Sequence, residues 1–258
     1  MLKEYLSTLA NALRSKLGIT EKINAQNFPD KINEVYEKGK YDEWSEFWDN
    51  AAPGGVIWGN SYMFATSFWN DKTFNPKYDI KFGYNGQVHA FAQCGITDMR
   101  GILERNGVKI IFGGGNFTNT FNTAKVTRLP EMTINPNNWY SIFYQCYYLK
   151  SIQKIKSTDT NPNYIGGGGM FYRCDALEEI EFDCPLFASI SFQHSPLNKK
   201  SIDNIIGCLS SDVTGQTLTL KKSAVNTAFG IDVDDETTYT EEWTTLRNSK
   251  ANWTFAYA

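Results

Sequence analysis

Apolar residues at the start of the chain recur every three or four positions. Leu2, Tyr5, Leu6, Leu9, Leu13 and Leu17 form one stripe of a helix over residues 2–17. Gly18 supplies its C-terminal stop. Phe28-Pro29-Asp30 opens a second helix with proline in the first turn. Its stripe is Ile32, Val35 and Tyr36, and Gly39 ends or interrupts it. Trp44, Phe47 and Trp48 mark a third, short helix. Stripes this apolar must pack on one another, on the segment that follows, or on another copy of the chain. The last option makes residues 1–52 a helical docking or oligomerisation segment. Ala51-Ala52-Pro53-Gly54-Gly55 then breaks the pattern and marks a boundary.

Beyond it the helical period gives way to short apolar runs among Gly, Asn, Thr and aromatic residues. One element repeats: Phe-x-x-Cys, with an aliphatic residue two or three positions on. Its copies are Phe91…Cys94, Phe121…Ala124, Phe143…Cys146…Leu149 and Phe171…Cys174…Leu177. A further aliphatic follows each: Met99, Leu129, Ile152 and Ile180. The Phe anchors are 30, 22 and 28 residues apart, a spacing that indicates a solenoid. A coil of that length cannot bury its own apolar face, so coils stack and align like residues in internal columns. Cys or Ala suits a tight turn with little room. Leu149-x-x-Ile152-x-x-Ile155 and Leu177-x-x-Ile180-x-Phe182 lead from turn into strand, and such strands pair in parallel from coil to coil. The glycine runs 113–115 and 166–169 fall between copies, where coils need loops. The expected fold class is α/β: a short solenoid with parallel β-strands over residues 53–195, preceded by the N-terminal helical segment.

Residues 196–258 read as a terminal cap. Ile202, Ile205, Ile206 and Leu209 form a helical stripe, and Thr217-Leu218-Thr219-Leu220 alternates as a strand. A helix at about 240–249 carries Trp243 and Leu246. Trp253-Thr254-Phe255-Ala256-Tyr257 is the closing strand, which shields the open edge.

Composition narrows the function. The net charge is −3 with no basic block, which argues against nucleic acid. No run approaches the roughly 20 apolar residues of a membrane helix, and the first residues lack the pattern of a signal peptide, so synthesis in the cytoplasm is expected. The five cysteines show no CxxC or Cys/His spacing, so neither disulfides nor zinc is expected. The two histidines, His89 and His194, sit in no ligand or nucleophile motif, and read as a structural residue and a loop residue. Asp232-Val233-Asp234-Asp235-Glu236 lacks the glycine and distal glutamate of a calcium loop and reads as a solvated acidic loop. Glu178-Glu179 looks like a solvent face, whereas a glycosidase needs two carboxylates opposed across a cleft. No catalytic residue, metal site or cofactor is expected. Aromatics make up 15% of the chain, and the candidate recognition residues are Trp139, Tyr140, Tyr147 and Tyr148. The alternative for Tyr147 and Tyr148 is that they merely cover the coil.

The Phe-x-x-Cys-x-x-Leu core over roughly residues 60–258 resembles the BspA-like class of leucine-rich repeats. Leu13-Arg14-Ser15-Lys16-Leu17-Gly18-Ile19-Thr20-Glu21-Lys22-Ile23 with Phe28-Pro29-Asp30-Lys31-Ile32 is similar to N-terminal segments of phage structural proteins. Phe47-Trp48-Asp49, Phe74-Asn75-Pro76-Lys77-Tyr78-Asp79 and Asn252-Trp253-Thr254 look like elements of repeat proteins encoded by gut phages and Firmicutes. The resemblance implies a leucine-rich-repeat-type solenoid in a non-enzymatic virion protein: a tail or head fibre, or a decoration protein, for attachment or host-surface recognition. It implies other virion proteins as partners of the N-terminal helices, a homo-oligomer such as a trimer, and a host surface protein or glycan as the target. A bacterial surface adhesin or protein-interaction module is the alternative. The family shares no catalytic residues. The copy at Phe121 departs from the motif, and so few repeats imply a short solenoid.

Overall fold

The computed structural model describes residues 56–59, 61–83, 88–112, 115–116, 118–133, 136–138, 141–157 and 169–258, with Ser7, Ala10, Asn11, Leu13, Arg14, Ser15, Thr20 and Trp48 before them. The chain divides into two compact units, Met1–Ala52 and Pro53–Ala258. In the first, Ser7, Ala10, Asn11 and Leu13 to Ser15 are helical, as is Trp48, and Leu13 and Trp48 are buried. The rest of the helices expected at 2–17, after Phe28 and around Trp44 lies outside the described residues.

The second unit is mixed α/β. Its strands are β1 (Val56–Gly59), β2 (Asp79–Phe82), β3 (Ile110–Phe112), β4 (Gly115–Asn116), β5 (Arg128–Thr133), β6 (Pro136–Asn138), β7 (Ser151–Lys156), β8 (Glu179–Asp183), β9 (Ile190–Phe192), β10 (Gln216–Leu220) and β11 (Trp253–Tyr257). Its helices are α1 (Met99–Asn106), α2 (Lys199–Cys208), α3 (Lys222–Phe229) and α4 (Glu241–Asn248). Every pairing between these strands is parallel, in sheets ordered β1-β2-β3, β5-β7-β8, β11-β10-β9 and β4-β6. The α/β class and the parallel pairing expected from the sequence are both present. Register aligns like with like: Leu129 faces Ile152, which faces Ile180, and all three are buried.

Each parallel step needs a return path, and a turn of constant form supplies it. The Phe91 N–H donates to the Thr120 carbonyl at 2.8 Å, Phe121 to Ile142 at 2.9 Å, and Phe143 to Met170 at 3.1 Å. Two residues on, Gln93 donates to Asn122, Thr123 to Tyr144 and Gln145 to Tyr172. Each turn is therefore laddered to the next by its own backbone. The bend comes from left-handed residues two before and two after the Phe: His89 and Gln93, Asn119 and Thr123, Ser141 and Gln145, with Arg173 after Phe171.

The same turn occurs at Phe64, flanked by Tyr62 and Thr66 at positive φ, and its N–H donates to the Ala90 carbonyl at 2.8 Å. The sequence reading missed this copy because Ser67 stands at the Cys position. It also missed Phe192 as the last anchor, where Ser195 stands at that position. With both included, six rings form one buried column: Phe64, Phe91, Phe121, Phe143, Phe171 and Phe192. Successive centroids are 5.0, 5.2, 5.6, 5.3 and 4.6 Å apart, each pair stacked.

Helix α1 was not expected. Met99 was read only as a repeat aliphatic; it is buried, but it opens a helix. Asp98 caps that helix by accepting from the Gly101 N–H at 2.9 Å, and Gly107 ends it at φ 67°. This insertion accounts for the 30-residue step from Phe91 to Phe121, against 22 for the next. Further on, α2, β10, α4 and β11 form where the stripes at Ile202, Thr217, Trp243 and Trp253 placed them. Helix α3 is an addition. β9 lies before residue 196, so the sheet that closes the chain begins upstream of the segment 196–258. Trp243 anchors this region, fully buried against Phe229 with ring centroids 4.7 Å apart.

Candidate binding surface

The turn that buries Phe and Cys must point the residues between and after them outward. At one position past Phe these are Tyr144 and Tyr172; at two, Arg173 and His194; at four, Tyr147 and Asp175; at five, Tyr148. Because the turns are stacked, equivalent positions meet. Tyr144 and Tyr172 stack at 5.1 Å, and His194 meets the Tyr172 ring edge-on at 5.2 Å. The Arg173 guanidinium lies over the Tyr147 ring, 5.5 Å from its centroid. Arg173 pairs with Asp175 at 3.4 Å, and that carboxylate holds the guanidinium pKa above its ordinary value. Asp175 also lies 3.9 Å from His194 Nδ1, and the His194 ring nitrogen Nε2 is 3.1 Å from the Gln193 amide. These contacts link the outer side chains of three successive turns into one patch.

Of the residues expected to recognise a partner, Tyr147 stands on this patch, 38% exposed, and Tyr148, next to it in the chain, is 58% exposed. Trp139 and Tyr140 lie outside the described residues. Tyr144, Tyr172, Arg173, Asp175 and His194 went unnoticed as candidates. The available signal was that they sit one, two or four positions past a Phe anchor, at offsets that recur from turn to turn. The expected core residues Phe91, Cys94, Phe121, Ala124, Phe143, Cys146, Leu149, Phe171, Cys174 and Leu177 are all buried. His89 stacks on Tyr62, centroids 5.0 Å apart.

Other polar groups serve the fold. Lys154 pairs with Glu181 at 2.7 Å and Lys156 with Glu131 at 2.8 Å, tying β5, β7 and β8 across their exposed face. A groove of about 320 Å³ lies beside them, lined by Arg100, Gln153, Glu179, Lys200 and Asn204 among others. In the acidic loop, Asp234 and Asp232 both pair with Lys222. Asp235 accepts from the Thr237 hydroxyl at 2.7 Å and its N–H at 3.0 Å, bonds that hold its pKa below the ordinary value. Among the described residues no group of three or more His, Cys, Asp or Glu is placed to hold a metal ion.

All five cysteines are free thiols. Burial pushes Cys94 and Cys184 up to about 12, and raises Cys146, Cys174 and Cys208 as well. A thiol held protonated is a poor nucleophile. Among the described residues no helix is long and apolar enough to cross a membrane. Family models, curated proteins and solved structures were each compared with the chain, and none matches it.

Proposed function

We propose that the Pro53–Ala258 unit is a short leucine-rich-repeat-type solenoid of the BspA-like kind, serving as a non-enzymatic attachment module of a phage particle. The column of six stacked Phe rings, with turns laddered one to the next, carries this reading. Such stacking repeats one outward position at a fixed step, which builds an extended binding surface without any reacting centre. The resemblance of the first fifty residues to phage structural proteins supplies the setting. Residues 1–52 would then dock the chain to other virion proteins and assemble it as a homo-oligomer, while the solenoid is presented to the host surface.

A mass-spectrometric inventory of purified particles, paired with a whole-cell binding assay of the full chain, tests this. The chain is expected in the particles, as a tail, head-fibre or decoration component, and bound to host cells. Its absence from the particles together with no cell binding sinks the proposal. Detection on intact cells without prophage induction points instead to a bacterial adhesin.

A further inference from the structure

We infer that the turn patch around Tyr147 and Tyr148 is a binding site for a neutral saccharide. The inference rests on the attachment reading and names the chemistry of its target. Sugars offer two kinds of surface at once, apolar C–H faces and a rim of hydroxyls. The patch offers the complement of both. Tyr148 is 58% and Tyr147 38% exposed, so the two rings offer apolar area to a sugar face. The adjoining Tyr147 ring carries the Arg173 guanidinium, which pairs with Asp175, and these two groups donate to and accept from hydroxyls.

The patch is also held in place before any ligand arrives. Arg173 sits at φ 59° in a turn whose neighbouring residue Tyr172 accepts from Gln145 at 2.7 Å. The guanidinium in turn holds the Tyr147 ring from one side and Asp175 from the other. Tyr147, Arg173 and Asp175 therefore have little side-chain freedom left to lose on binding, which favours a weakly held small ligand.

Two features select this occupant over others. The Arg173 and Asp175 charges compensate each other, which removes the attraction of this guanidinium for a phosphate, sulfate or acidic glycan. Exposed apolar area here amounts to two rings, far below the roughly 800 Å² per partner of a stable protein interface.

An array of immobilised neutral gluco-, galacto-, manno- and N-acetylglucosamine oligosaccharides, with sulfated and sialylated members alongside, tests the full chain. Binding to a neutral member is expected, insensitive to salt. Tyr148→Ala and Tyr147→Ala should each weaken it at least tenfold with unchanged circular dichroism. Phe68→Ala, an exposed ring on the Phe64 side of the stack, should leave it unchanged. Affinity untouched by both tyrosine substitutions overturns the site. Binding confined to acidic members and lost with salt overturns its chemistry, and a dark array overturns both. A dark array with host cells still bound would leave the attachment reading standing. Sugar binding by a chain absent from particles and cells would do the reverse.

Discussion

Cysteine at the fourth position of the turn contributes a donor as well as a small volume. Cys146 Sγ donates to the Phe121 carbonyl at 2.9 Å and Cys174 Sγ to the Phe143 carbonyl at 3.1 Å, each reaching the turn before it. Ser195, standing in the Cys position after Phe192, donates to the Cys174 carbonyl at 3.2 Å, and outside these turns Cys208, at the end of α2, donates to the Phe182 carbonyl of β8 at 3.3 Å. Alanine fills this space without making the bond. Cys146→Ala or Cys174→Ala should therefore cost about 1–2 kcal/mol, read as a lower urea midpoint with unchanged slope. The same thiols set a pH limit. In the folded chain burial keeps them protonated, Cys94 and Cys184 up to about 12, while the unfolded chain ionises them at the ordinary thiol value. Raised folded-state pKa values make a stabilising contribution that is complete below the ordinary value and lost as pH rises from there toward about 12. As far as the thiols contribute, the melting temperature should hold steady from neutral pH to about 8.5 and fall above it. No alkaline fall in a thermal scan would contradict the burial of these thiols.

At the scale of elements, local signals were legible where they were short-range. The stripes that marked α2 and α4 and the alternation that marked β10 depend only on residues a few positions apart. Helix α1 escaped because its apolar stripe, Met99, Ile102 and Leu103, spans little more than one turn and Met99 fits the repeat, while its clearest signals, Asp98 and Gly107, lie at its ends. Those ends matter: Asp98 caps the Gly101 N–H and also reaches Arg128 of β5 at 3.4 Å. Asp98→Ala should cost about 1 kcal/mol, measured by chemical denaturation, with most of it from the cap and little from the exposed ion pair. Asp98→Asn, which keeps the accepting oxygen, should recover most of that loss.

For the molecule as a whole, the Phe column is the continuous element of the second unit. Phe143 lies in its interior, with Phe121 at 5.6 Å and Phe171 at 5.3 Å. Phe143→Ala should cost about 3–5 kcal/mol, a large share of a typical domain's stability. Thermal or urea unfolding will show it, and retained wild-type stability would mean the column does not hold the turns together. Tyr148→Ala, exposed beside the same turn, should change stability by less than about 0.5 kcal/mol. Comparing the two separates the surface that holds the unit together from the one assigned to binding.

What the sequence determined by itself was the inside of each Phe turn and the elements near the C-terminus. Phe, Cys or Ala and the following aliphatics recur at fixed offsets within one turn, and that spacing is visible without knowing which turns touch. Only the tertiary structure decided that Phe64 and Phe192 extend the column, that thiols reach the carbonyls of the previous turn, and that Tyr147, Arg173, Asp175 and His194 form one patch. These contacts join residues of neighbouring turns that lie mostly more than 20 positions apart in the chain. Stacking of the turns sets them, and with the steps between turns made uneven by insertions such as α1, no local period records which positions will meet.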